Sequence, residues 1–81
     1  MPYWTYILRS QSNGRYYCGS TGDLESRVRQ HNDPKYRASR TTDLIPGPWE
    51  LIWSQELPTR SKAMSLEKKI KKRGIARYLG N

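Results

Sequence analysis

The chain holds one cysteine, one histidine, no phenylalanine, and 7 acidic residues against 15 Lys and Arg. A lone Cys18 cannot close an intramolecular disulfide, and one Cys with one His cannot supply a tetrahedral zinc site, so disulfide scaffolds and zinc fingers are excluded. No apolar run approaches the roughly 20 residues needed to cross a bilayer. The opening Met-Pro-Tyr-Trp-Thr-Tyr-Ile-Leu lacks the basic segment of a secretory leader, and a cytoplasmic, reducing location is the expectation. The shortage of acid leaves a formal charge of +8 and an isoelectric point near 10.0. On a small domain such a surplus points to an anionic partner, nucleic acid first.

What is present is aromatic: three Trp and six Tyr in 81 residues, which a basic disordered tail would lack. One folded domain over 1–81 is expected, with a small core. Aromatic and β-branched residues over Tyr3 to Leu8 and again over Arg15 to Ser20, separated by Ser12-Asn13-Gly14, predict a β-hairpin. Thr21 is placed to cap a helix over about 23–31, stopped by Asp33-Pro34. Lys35 to Pro48 reads as a basic loop, long for a connector. Alternation over Trp49 to Gln55, with Trp49, Leu51 and Trp53 on one side, predicts a third strand. A second helix over Ser61 to Lys72 and a short last turn over Ile75 to Leu79 complete the order β-β-α-β-α(-α).

Both helices carry polar residues beside their apolar stripes. In the first, Arg27 and His31 sit one turn apart next to Leu24 and Val28. In the second, Glu67 falls within the arc of Ala63, Leu66 and Ile70. An inward carboxylate needs a partner, either a salt bridge to Arg27 or another cation, or a divalent metal. Between Arg60 and Arg77 eight basic residues face Glu67 as the sole acid, a charge density suited to phosphate contacts.

These residues resemble a GIY-YIG endonuclease domain, of the small stand-alone bacterial kind. Trp4-Thr5-Tyr6 lies where that family has its first tripeptide and Tyr17-Cys18-Gly19 where it has its second. The stretch from Thr21 to Asn32 is similar to the family's helix, with Arg27 and His31 at its Arg and His positions. Arg60 to Lys71 is similar to its metal-binding helix, with Glu67 at the carboxylate. The sequence departs from the pattern at Trp4, where the family has Gly, and the Asn that many members carry beyond the Glu is matched in spacing only by Asn81, which receives no role.

The resemblance implies an α+β fold, a three-stranded antiparallel sheet flanked by helices. It also implies metal-assisted hydrolysis of DNA, selective for structure or single strands rather than for a long sequence. Glu67 would hold Mg²⁺ or Mn²⁺ and Arg27 the nonbridging phosphate oxygens. Tyr6 would be the general base with His31 as its partner, its phenol pKa lowered by a neighbour or its proton relayed, and Tyr17 would orient water or phosphate. Lys35, Tyr36, Arg37 and Arg40 in the loop, with Lys68, Lys71, Lys72 and Arg73 on the second helix, are the expected nucleic-acid contacts. Two rival readings are a non-catalytic nucleic-acid-binding module of the same fold and a basic module for acidic proteins. Oligomeric state is left open.

Overall fold

The computed structural model describes residues 2–12, 14–32 and 48–80. The loop positions Lys35, Tyr36, Arg37 and Arg40, together with Asn13 and Asn81, lie outside them. The elements are β1 (Tyr3–Ser10), β2 (Tyr16–Thr21), α1 (Leu24–Asn32), β3 (Trp49–Leu57), α2 (Arg60–Arg73) and α3 (Ile75–Tyr78). The sheet is antiparallel, in the order β2-β1-β3. Among the described residues no helix is long and apolar enough to cross a membrane.

The hairpin between β1 and β2 is closed by Ser10 N donating to Arg15 O at 2.8 Å and Gly14 N donating to Ser10 O at 2.9 Å. Gly14 takes a positive φ of 74°, which a side chain would resist. Alternation along central β1 then divides the core in two. Tyr6 and Leu8 pack on one face with Trp49, Tyr17, Leu24 and Val28. Ile7 packs on the other with Cys18, Ile70, Trp53, Leu66 and the α3 residues Ile75 and Tyr78. Helix α1 therefore covers the Tyr6 face, and α2 with α3 covers the Ile7 face. Thr5 Oγ1, fully buried, donates to Ala63 O at 2.7 Å and ties α2 to the sheet.

Two local expectations are corrected. Asp23, not Thr21, caps α1: its Oδ1 accepts from Ser26 N at 3.2 Å, while Thr21 Oγ1 accepts from Asp23 N and shapes the turn before it. Trp49, Leu51 and Trp53 do not share a face. Ile7 pairs with Trp53 but Leu8 with Leu51, so Ile52 is an extra residue in a bulge that reverses the alternation. Trp49 joins Tyr6, and Trp53 packs edge-on against Tyr78, ring centroids 5.2 Å apart, on the opposite face.

Helix α2 begins where Thr59 accepts from Lys62 N at 3.2 Å and ends where Gly74, at φ 100°, donates its N–H to Ile70 O. Lys71, Lys72 and Arg73 fill its last turn, where cations suit the negative end of the helix dipole.

Candidate active site

Tyr6 lies in the middle of the central strand with no exposed surface. Its partner across the ladder is Gly19 of β2. A Cβ at Gly19 would fall 2.7 Å from Tyr6 Oη and 2.9 Å from Cζ, so the phenol lies directly on that backbone and only glycine leaves it room. Its hydroxyl meets His31 Nε2 at 3.0 Å. Tyr17 stacks beside both, its ring 4.9 Å from His31 and 6.3 Å from Tyr6.

Burial dominates the electrostatics of this cluster. It raises the Tyr6 phenol well above its ordinary value, outweighing the hydrogen bond and charge of Arg27 that pull the other way. A neighbour, Arg27, does pull the Tyr6 pKa down as expected, but burial outweighs it, and the contact with His31 offers the route for relaying the proton. Burial, and then the charge of Arg27, push the His31 imidazole down to about 4, so it is neutral at pH 7 and one ring nitrogen is free to accept a hydrogen bond. In the tautomer protonated at Nδ1, Tyr6 donates to Nε2; that buried Nδ1 finds no hydrogen-bond partner among the described residues.

Arg27 and His31 come from successive turns of α1. Arg27 Nη1 donates to Gln30 Oε1 at 3.4 Å, which steadies the guanidinium beside the phenol. His31 is fixed by the residue after it. Asn32 Nδ2 donates to Trp49 O at 3.0 Å, and Asn32 Oδ1 accepts from Trp49 N at 2.6 Å. This two-way clamp ties the end of α1 to the start of β3.

Glu67 arrives from the other face of the sheet. It is half-buried rather than turned into the apolar core, and its partner is Lys71 rather than Arg27: Lys71 Nζ donates to Glu67 Oε2 at 2.9 Å. Such an i,i+4 pair contributes about 0.3–0.5 kcal/mol. Burial works against the Lys71 charge, but the Glu67 hydrogen bond and charge prevail and raise its pKa. The negative charge of Glu67 also opposes ionisation of Tyr6 and of Cys18, whose thiol is pushed up to about 11 chiefly by burial. The charge of the carboxylate is therefore felt on both sides of the sheet, at Cys18 on its own face and at Tyr6 on the other.

The donor set suits a hard cation. No group of three or more His, Cys, Asp or Glu clusters among the described residues, and Glu67 is the carboxylate whose charge reaches the phenol. Magnesium keeps several waters and binds through one or two carboxylates plus substrate phosphate, so a single accessible Glu67 fits it where zinc would want more protein ligands. Lys68, Lys72 and Arg73 are exposed on α2. Sequence reasoning missed Gly19 as the seat of the phenol, Asn32 as the clamp, and the Lys71 pairing, although the Glu-to-Lys spacing of four was legible.

Phenol, imidazole and guanidinium thus cluster on one face of the sheet, and the Glu67 carboxylate stands on the helix that covers the other. The chain belongs to the GIY-YIG family: the GIY-YIG catalytic domain matches residues 2–78. It is 36% identical over 80 residues to the structure-specific endonuclease subunit SLX1 of Meyerozyma guilliermondii, covering 95% of this chain and 27% of that protein. It is 36% identical to the UPF0213 protein YazA of Bacillus subtilis, covering 83% and 64% of the two chains, and 40% identical to YsiG of Lactococcus lactis, covering 80% and 59%. The chain thus spans less than two thirds of each of these relatives. The solution NMR structure of the UPF0213 protein BH0048 from Bacillus halodurans superposes with a TM-score of 0.57 at 25% identity, covering 99% of this chain and 81% of that one.

Proposed function

We propose that this protein is a divalent-metal-dependent DNA endonuclease, selective for single-stranded or branched structure rather than for sequence. The observation that carries the reading is the 3.0 Å contact between Tyr6 and a neutral His31, with Arg27 beside them and the charge of Glu67 felt from the other face of the sheet. A lone phenol is about one part in a thousand ionised at neutral pH, and burial makes this one less so. Tyr6 therefore works as a relay: its oxygen takes a proton from the attacking water while its own proton passes to His31 Nε2. Arg27 forks onto the nonbridging oxygens, a geometry Lys does not reproduce, and Tyr17 orients water or phosphate through its hydroxyl.

As the water oxygen bonds to phosphorus, the bond to the 3′-oxygen breaks. The leaving oxygen takes a proton from solvent, which leaves a 5′-phosphate and a 3′-hydroxyl. Glu67 would hold a Mg²⁺ or Mn²⁺ ion, which would supply neutralising positive charge to the reacting phosphate. Lys68, Lys72 and Arg73 on α2, and Lys35, Tyr36, Arg37 and Arg40 of the 33–47 segment, contact the nucleic acid. A domain this small has little surface for reading bases, which favours recognition of shape. In a reducing cytoplasm the buried Cys18 stays a thiol.

The test is a panel of end-labelled single-stranded, duplex, flap and branched DNAs incubated at low salt with Mg²⁺, Mn²⁺ or EDTA. The expected result is metal-dependent cutting concentrated in the single-stranded or branched members. Equal cutting of all substrates would remove the selectivity, and binding without cutting under either metal would leave a nucleic-acid-binding module.

A further inference from the structure

The ion pair between Lys71 and Glu67 occupies the carboxylate that the proposed function assigns to the metal. We infer that Lys71 is a resident counterion that exchanges partners, holding Glu67 in the free protein and moving onto the substrate phosphate when the carboxylate takes up a divalent cation. The inference rests on that reading of Glu67.

Three observations carry it. The contact is short, 2.9 Å, and made to one carboxylate oxygen, yet half of the Lys71 side chain remains exposed, so the ammonium is free to swing. Lys71 also lines both a groove shared with Arg60, Met64, Glu67 and Lys68 and a neighbouring one shared with Arg15, Tyr16 and Ile75, so it stands on the wall common to the two. That second groove carries it onto β2, the edge strand against which α2 packs, and not out on the far side of the helix.

Charge counting explains the exchange. Glu67 and Lys71 sum to zero before substrate arrives. A carboxylate, a divalent cation and a phosphodiester also sum to zero, which leaves the Lys71 charge unneeded at Glu67. The phosphoryl group gains negative charge as water attacks, and Lys71, once released from Glu67, is a mobile cation able to answer it. A lysine suits the task because its flexible stem and three donors can change partner, where a guanidinium fork is held by geometry. The i,i+4 pair is weak enough to give way.

The test compares wild type with Lys71→Met, Glu67→Gln and, as a control facing away from Glu67, Lys69→Met. Mn²⁺ binding is read by electron paramagnetic resonance without DNA, and single-turnover cleavage of the best substrate is read against metal concentration. Lys71→Met is expected to bind Mn²⁺ at least twofold tighter, because nothing competes for the carboxylate, and to cut at least tenfold more slowly at saturating metal. Lys69→Met should match wild type, and Lys71→Arg should restore part of the rate. Unchanged Mn²⁺ affinity and unchanged rate in Lys71→Met would overturn the exchange while leaving the nuclease reading intact. Glu67→Gln that binds Mn²⁺ and cuts like wild type would instead remove Glu67 as metal ligand, and both readings with it.

Discussion

Tyr6 pairs a buried, high-pKa phenol with a neutral imidazole, and the proposed proton removal needs both residues. Tyr6→Phe keeps the ring on Gly19 but deletes the relay. Cleavage should fall about 10²- to 10⁴-fold in single-turnover kinetics, with a loss of stability of about 1–3 kcal/mol from the buried hydrogen bond in a thermal melt. Gly19→Ala tests the seat rather than the hydroxyl. Its methyl must displace the phenol, so overpacking of about 1–3 kcal/mol and loss of cutting should appear together. His31 has a direct pH signature. Its folded pKa of about 4 lies below the ordinary 6.5, so the unfolded chain binds more protons between those values. Stability should be full above pH 6.5 and decline as pH falls toward 4. His31→Gln should flatten that decline in a pH series of melts, and a His31-dependent inflection in cleavage near pH 6.5 would contradict the assignment.

At the level of elements, the order of strands and helices was legible because each segment declares itself. Aromatic and β-branched runs flank Asn13-Gly14, Asp33-Pro34 follows the first helix, and Gly74 separates α2 from α3. The bulge at Ile52 was not legible, because alternation written in sequence assumes one residue against one, and an extra residue shows only when pairing with β1 is known. Likewise Asp23 and Thr21 are both good caps, and only the path of the turn decides between them. Positions Arg27, His31 and Glu67 were legible as polar residues beside apolar stripes. The direction of the Tyr6 pKa was not, since it depends on how deeply β1 is buried. The Thr59 cap gives a prediction at this scale: Thr59→Ala should lower stability by about 1 kcal/mol, measured by urea denaturation, without changing the metal dependence of cutting, because it frays the first turn of α2 two turns before Glu67.

For the molecule as a whole, the surplus of 15 basic over 7 acidic residues governs how the proposed nucleic-acid substrate would be met. Binding should weaken steeply with salt, with a slope of about 0.9 per phosphate contact on duplex and about 0.7 on single strands. Lys68→Ala and Lys72→Ala should each lower the slope by about one contact in a salt titration of fluorescence anisotropy. Affinity of that kind comes from charge and says nothing about chemistry, which is why the central claim rests on the carboxylate that interrupts the basic run. Wild type and Glu67→Gln should therefore be compared at low salt on labelled single-stranded and branched DNA, with Mg²⁺, Mn²⁺ or EDTA. Cutting by wild type only with metal, absent in Glu67→Gln while binding persists, is the expected result. Equal cutting by both proteins, or none by either despite tight binding, would contradict it.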